Sequence, residues 1–278
     1  MDFGFKMLKL GHINYLNCIP VHGAIIMKKV PFKGELVYGT PNLLNKLLEA
    51  GEIDISPSSS AELIKGYKVI PDFSISGKTD VKSIILVTKR PLEDIKRGLF
   101  YVTSHSATSA LLLKVILKEF YQIEAKYRVF APEKHTLLEL INKSDGVLYI
   151  GDFALKLKCS LPYYKNDLAE IWYKKTSLPF TFAVWQLRRS FEYEEKKIKY
   201  LYYTLKASFE YFRKDPSRLA EQFHEQFSMS VDEILKYWES LSFELKDVHL
   251  KSLKLYFSLA KRQGLISKEP EIELVSLP

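Results

Sequence analysis

The chain has 278 residues, 47% hydrophobic and 27% charged, with 41 Lys and Arg against 33 Asp and Glu, a net charge of +8 and only two cysteines. This is the composition of an ordinary globular protein, long enough for two modest domains with a sizeable core, so disulfide scaffolds, collagens and disordered tails are excluded. Cys18 and Cys159 lie far apart with no CxxC and no histidine at ligand spacing, which argues against structural zinc and for reduced thiols.

In chain order, short apolar strands alternate with amphipathic helices through the first two-thirds of the sequence. The periodicity predicts strand 8–13, helix 20–28, strand 35–38, helix 43–49 and strand 53–56. Thr40 suits the N-cap of the second helix, Pro41 its first position and Gly51 its stop. Further strands are expected at 83–88, 99–102, 126–130, 146–150 and 180–187, with a helix at 108–120. This alternation indicates an α/β architecture with mostly parallel sheets. After Arg189 the apolar residues recur at three- and four-residue spacing, as in Ile198, Leu201, Tyr202, Leu205, Phe209 and Phe212, so the tail reads as helices. Asp215 before Pro216 opens one of them and Gly264 suits the end of the last.

No flexible linker separates two domains, so strands themselves are expected to cross between them, with 81–88 and 180–188 the crossing segments. The resulting α/β clamshell has a discontinuous first domain, 1–88 and 179–278, an inserted second domain, 89–178, and a cleft between them. No run approaches the ~20 apolar residues that span a bilayer, and the N-terminus lacks the apolar core of a secretory signal. A cytoplasmic protein is expected, with residues 1–6 a disordered extension and Met7 an alternative start. Lysines are interleaved with glutamates, as in Glu194, Glu195, Lys196 and Lys197, which is the pattern of solvated helix faces. Neither nucleic acid nor membrane is therefore an expected partner, whereas a small anionic ligand gains from the mild positive field. Oligomeric state leaves no mark on the sequence.

Several turns hold chemistry-bearing residues. The segment 11–20, GHINYLNCIP, runs from a strand end into a helix start. Asn17 there reads equally as a neutral ligand-binding group or as part of an N-cap region, and His12, inside the strand, reads as structural rather than catalytic. In 103–109 five of seven residues carry hydroxyls, Thr103, Ser104, Ser106, Thr108 and Ser109, at the start of a helix. Hydroxyls and backbone amides converging at the positive end of a helix suit a carboxylate or phosphate. Ser58, Ser59 and Ser60 form a similar, plainer turn. The strand 147–150 ends in Gly151-Asp152, where glycine allows close approach of a ligand and Asp152 reads as a helix cap ahead of a general base. The aromatics of 180–185 read as core. There is no P-loop, GxGxxG, HExxH or GxSxG, so nucleotide and zinc-protease chemistry lose their usual support.

The ordered set GHINYLNCIP, GEIDISPSSS, VKSIILVTKRPL, TSHSATSALLL, VLYIGDFAL and DLAEIWYKKTSLPFTFAVW resembles the chorismate dehydratase family, which opens the futalosine route of menaquinone biosynthesis. The likeness spans residues 8–188, and the proline-rich Ser-Cys-Asn-Asp type opening of the sister family on that route is missing here. The resemblance implies a type II periplasmic-binding-protein-like fold, dehydration of chorismate to 3-enolpyruvyloxybenzoate, no cofactor and no metal. It also points to a substrate-assisted elimination, in which the enolpyruvyl carboxylate of the substrate acts as base. Asn17 and Ser83, at the first turn and at the head of a crossing strand, are the expected catalytic residues. Tyr15, Ser59, Ser106, Ala107, Thr108, Ser109, Gly151 and Asp152 are the expected binding residues. A non-catalytic solute-binding or sensor domain for an aromatic or dicarboxylic acid is the alternative, because fold does not fix function.

Overall fold

In the computed structural model, residues 7–157 and 163–277 are described; Cys159 and the extension expected at 1–6 lie outside them. The N-terminal alternation produces β1 (Leu8–Ile13), α1 (Ile19–Ile26), β2 (Gly34–Gly39), α2 (Pro41–Glu49) and β3 (Ile55–Ser59). Strand β1 pairs in parallel with both β2 and β3. Helix α2 starts where its capping residues indicate, the Leu43 amide donating to Thr40 Oγ1 at 3.3 Å with Pro41 in the first turn. Strand β3 continues to Ser59, so Ser58 and Ser59 are strand residues rather than members of a turn, and Ser60 opens a short 3-10 helix.

The next strand, β4 (Val69–Gly77), has no counterpart in the periodicity reading. Pro71 and Asp72 interrupt its pattern, Asp72 at a positive φ of 71°, and its buried polar positions are serines. These satisfy one another: Ser74 and Ser76 Oγ lie 2.8 Å apart, Ser76 donates to Thr181 Oγ1 at 3.0 Å and Ser74 to the Glu244 carbonyl at 2.9 Å. A hydroxyl ladder of this kind lets polar residues occupy core positions without leaving unpaired groups.

Beyond β4 the chain enters a second sheet built from β5 (Ile84–Thr88), β6 (Arg97–Thr103), β7 (Glu124–Phe130), β8 (Gly146–Ile150) and β9 (Tyr164–Asp167), in the order β7-β6-β8-β5-β9. The change of sheet therefore falls between Gly77 and Ile84, whereas the domain division read from the sequence, after residue 88, keeps β5 with the first lobe. Helices α3 (Ala107–Glu119), α4 (Leu137–Ile141) and α5 (Gly151–Leu155) accompany this lobe, and α6 (Leu168–Thr176) leads back to β10 (Phe180–Leu187) in the first sheet. Asp167 braces both crossings. Its Oδ2 accepts the Val81 and Lys82 amides at 2.8 and 2.6 Å, and its Oδ1 caps α6 through the Ala169 and Glu170 amides at 2.9 and 3.3 Å.

The tail forms the expected helices α7 (Glu195–Lys214), α8 (Pro216–Phe227), α9 (Val231–Glu239) and α10 (Asp247–Arg262), interrupted by one strand, β11 (Leu241–Leu245), that covers the edge of β4. The first sheet thus reads β11-β4-β10-β3-β1-β2. Both sheets are mixed rather than mostly parallel. β10 runs antiparallel to β3 and β4, β11 to β4, and β5 to β8 and β9.

His12 is structural, as its place inside β1 indicates. The Trp185 indole donates to His22 Nε2 at 2.9 Å, which leaves the His22 proton on Nδ1, 2.9 Å from His12 Nδ1. Burial lowers the His12 pKa to about 4 and holds His22 well below the usual range, with His12 adding to the effect, so both rings are neutral.

Candidate active site

A cavity opens where the two lobes face each other, and it is built from the ends of elements on both sides. Ile13, Tyr15 and Asn17 come from the end of β1 and the turn after it, Ser59 from the end of β3, and Ser83 and Ile84 from the start of β5. Ser106 and Ser109 come from the start of α3, and Ile150 and Gly151 from the junction of β8 and α5. Pro41, Ile75, Phe182, Ala183 and Leu241 complete the wall around about 550 Å³ of space that includes the open mouth. Strand ends are where an α/β sheet leaves backbone and turn groups free for a ligand.

Of the residues expected from the sequence, Asn17, Ser83, Tyr15, Ser59, Ser106, Ser109 and Gly151 line this cavity. Three lie elsewhere. Ala107 is exposed and borders a shallower cavity beside Ser104 and His105. Thr108 is buried and ties the lobes together: its Oγ1 accepts the Ala61 amide at 3.0 Å and its carbonyl accepts the Tyr256 hydroxyl at 3.2 Å. Asp152 does not cap α5, whose N-cap is Ile150 without a side-chain bond; its Oδ1 instead accepts the Leu16 amide from the opposite lobe at 3.4 Å.

Local structure explains these placements. Ser106 is the N-cap of α3, accepting the Ser109 amide at 3.1 Å, and its own proton goes to Ser109 Oγ at 3.1 Å. The Ser109 proton is thereby left to point elsewhere, and the cavity is beside it. Gly151 sits at φ +56°, and a Cβ there would stand 3.2 Å from the Tyr15 ring, so the close approach of α5 to the first turn depends on glycine. Across the mouth, Tyr15 Oη lies 3.0 Å from His105 Nδ1.

Among the described residues, none that lines the cavity carries a charged side chain, so the excess of lysine and arginine is not spent there. Burial and the Asp152 carboxylate push the Tyr15 phenol pKa upward, and burial does the same to the Cys18 thiol. Asp152 itself is raised to about 6 by burial, against the Leu16 amide and Lys156. The site is thus a neutral, hydroxyl-rich and partly apolar pocket with one weakly acidic carboxyl behind it.

A family model described as menaquinone biosynthesis matches residues 8–262. The chain belongs to that family. Among curated proteins this menaquinone biosynthesis family member is similar to the chorismate dehydratase of Thermus thermophilus, 33% identical over 199 residues that cover 65% of this chain and 69% of the relative. It is equally similar to the chorismate dehydratase of Campylobacter jejuni, 33% identical over 180 residues that cover 62% of this chain and 64% of the relative. Among solved structures, a protein of Archaeoglobus fulgidus superposes with a TM-score of 0.76 at 15% identity, covering 93% of this chain and 98% of the other. The periplasmic aliphatic sulphonate binding protein of Escherichia coli follows at 0.66 and 13% identity, covering 95% and 90%. These likenesses show the fold, the periplasmic-binding-protein-like α/β clamshell expected from the sequence.

Two residues of this family member escaped the sequence reading. Phe182 belongs to a segment read as core, and it lines the cavity while its neighbours Phe180 and Trp185 are fully buried. Alternation along β10 does not separate them, since Phe180 and Phe182 are two apart and the register shifts between Thr181 and Ala183. Tyr237 of α9 is buried with its phenol beside Ser83 and Asn17, and nothing local marks it. Among the described residues no cluster of His, Cys, Asp and Glu is set to hold a metal ion, and no helix is long and apolar enough to cross a membrane.

Proposed function

We propose that this chain is a chorismate dehydratase, a hydro-lyase that removes water from chorismate to give 3-enolpyruvyloxybenzoate. The observation that carries the reading is the meeting of Asn17 and Ser83, from different lobes, in one uncharged cavity of a menaquinone biosynthesis family member. Chorismate is a dianion with one ring hydroxyl, and its carboxylates suit the Ser106, Ser109 and Ser59 hydroxyls and the amides that open α3.

The elimination breaks the ring C–H bond next to the enol ether and the neighbouring C–OH bond. The C–H electron pair becomes the third ring double bond, and the hydroxyl leaves with its bonding pair, to be protonated to water. Because the ring becomes aromatic the reaction is downhill, and catalysis consists mainly of holding the substrate in a reactive geometry and handling one proton. No lining side chain is a strong base, and the Asp152 carboxylate is occupied by the Leu16 amide. The enolpyruvyl carboxylate of the substrate fills that role, taking the ring proton intramolecularly while Ser83 and Asn17 hold the departing hydroxyl. The reading includes a cytoplasmic location, a soluble anionic substrate and no metal or nucleotide.

Incubation of the purified protein with chorismate, followed by ultraviolet spectroscopy and NMR, tests it: the diene signals give way to a meta-substituted benzoate that retains its enolpyruvyl group. Asn17→Ala and Ser83→Ala lower kcat by about 10²-fold or more in folded protein. Binding of chorismate with no aromatic product would favour a solute-binding protein instead, a role that the sulphonate-binding neighbour fills on the same fold.

A further inference from the structure

Thr108 does not line the cavity, and its place between the lobes gives it a different part. It is fully buried at the second position of α3, in the second lobe, next to Ser109. Its Oγ1 accepts the amide of Ala61 at 3.0 Å. Ala61 holds the second position of the short 3-10 helix Ser60–Lys65 in the first lobe, two residues beyond Ser59. Ser59 and Ser109 both line the cavity, so one hydrogen bond joins the two segments that present these hydroxyls from opposite lobes.

Each segment is also held on its own side of this bond. In the first lobe Gln186 Nε2 donates to the Ser59 carbonyl at 3.0 Å and Ser60 Oγ to the Thr181 carbonyl at 2.9 Å, which fixes the end of β3 against β10. In the second, the Ser109 amide donates to Ser106 Oγ at 3.1 Å and the Tyr256 hydroxyl of α10 to the Thr108 carbonyl at 3.2 Å. Two fixed segments joined by a further bond leave the Ser59 and Ser109 hydroxyls little choice of separation, so an anion that engages both must carry acceptors spaced to match. A backbone amide that loses its acceptor inside the protein is costly, and the tie is therefore kept rather than surrendered to an ill-fitting ligand. The bonds of Tyr15 to His105 at 3.0 Å and of the Leu16 amide to Asp152 at 3.4 Å also cross between the lobes, and they involve neither serine segment.

We propose that Thr108 is a positioning residue: its bond to Ala61 sets the span between Ser59 and Ser109, and that span selects ligands with two separated carboxylates over ligands with one. A single carboxylate engages the hydroxyl of one lobe and gains nothing from the tie. That the dicarboxylate is chorismate rests on the dehydratase reading above; the coupling of the two serines through Thr108 does not.

NMR titration of wild type, Thr108→Val and Thr108→Ser with chorismate, with the unreactive dicarboxylate 3-(carboxymethoxy)benzoate and with benzoate tests it. Valine keeps the shape of the side chain and removes the acceptor; serine keeps the acceptor. Thr108→Val is expected to weaken binding of both dicarboxylates about 10-fold or more and of benzoate by less than about 3-fold. Thr108→Ser restores wild-type binding, and Thr108→Val adds almost nothing once Ser109 is alanine, as residues acting through one another do. Equal losses for benzoate and the dicarboxylates, failure of serine to rescue, independent effects with Ser109→Ala, or no binding of either dicarboxylate overturn the proposal. A second measurement uses wild type alone, should Thr108→Val not fold: exchange of the Ala61 amide hydrogen is slow in ligand-free protein, and slows further with 3-(carboxymethoxy)benzoate but not with benzoate. An amide that exchanges freely, or that responds to both acids alike, overturns the proposal even if chorismate is turned over. Dicarboxylate-selective binding in a protein that leaves chorismate unchanged supports the span and sinks only the dehydratase reading.

Discussion

Tyr15 Oη lies 3.0 Å from His105 Nδ1, and this contact bridges the two lobes across the mouth of the cavity. His105 Nε2 lies in turn 3.3 Å from the Glu133 carboxylate. The Glu133 carboxylate can only accept, so the ring nitrogen that faces it is the donor. Tyr15→Phe removes a contact of ~1 kcal/mol from the closed state and is expected to raise KM up to about tenfold, with thermal stability little changed. Steady-state kinetics with small-angle scattering of the ligand-free protein checks it; an unchanged KM with an unchanged radius of gyration would show that the contact does not hold the lobes together.

Ser106 and Ser109 divide two roles that their sequence leaves merged. Ser106 caps α3, so Ser106→Ala is expected to cost ~1 kcal/mol of stability. Ser109 lines the cavity and is expected to donate to a substrate carboxylate. Ser109→Ala is expected to raise KM about tenfold or more with kcat within a few-fold, because a bond to a charged group is worth roughly 1.5 to 3 kcal/mol. Urea unfolding and kinetics on each single variant separate the roles, and the prediction fails if Ser109→Ala leaves KM as it was.

Asp152 is expected to give substrate binding a pH dependence. Its pKa is raised by burial to about 6, and a dianion arriving nearby binds better to the protonated form. KM for chorismate is therefore expected to rise by several-fold as pH goes from 6 to 8. In Asp152→Asn the rise flattens while turnover is retained, since an amide oxygen still accepts the Leu16 amide. The same slope in wild type and variant would remove Asp152 from the account, and loss of turnover by several orders of magnitude in folded variant would make it the base.

The His12 and His22 pair makes the protein acid-sensitive. Both pKa values are lowered in the folded state, His12 to about 4, whereas in the unfolded chain both rings titrate near the ordinary 6.5. The unfolded state thus binds more protons below pH 6.5, and stability is expected to fall as pH drops from 6.5 toward 4, by about 1.4 kcal/mol per pH unit for each proton refused. Asp152 and Asp167, whose pKa values are raised, work the opposite way at the low end of this window and offset part of the loss. Urea midpoints at pH 7, 6 and 5 follow the trend, and NMR of the ring nitrogens reads the cause. A His12 that titrates near 6.5 in folded protein refutes it.

The sequence by itself determined the features that depend on neighbours along the chain. Strand and helix periodicity, the Thr40 cap with Pro41, the hydroxyl-rich start of α3 and the glycine at 151 are local properties, and the cavity collects Asn17, Ser83, Ser106 and Ser109 because strand ends and helix starts are where such turns fall. What only the tertiary structure decided rests on pairings between distant segments. β4 hides behind Pro71 and the positive φ of Asp72, and becomes a strand because Thr181 and Glu244 take its buried serines. β5 joins the second sheet because β8 and β9 flank it there, while β11 leaves the helical tail to cover an edge. Asp152 reads as a cap until the Leu16 amide, far away in sequence, meets its carboxylate. Tyr237 reads as one more apolar position of an amphipathic helix, and it comes to lie beside Asn17 and Ser83 only when the tail folds back against the first turn. A hydrogen bond between remote residues depends on where the whole chain places them, and periodicity carries no record of that placement.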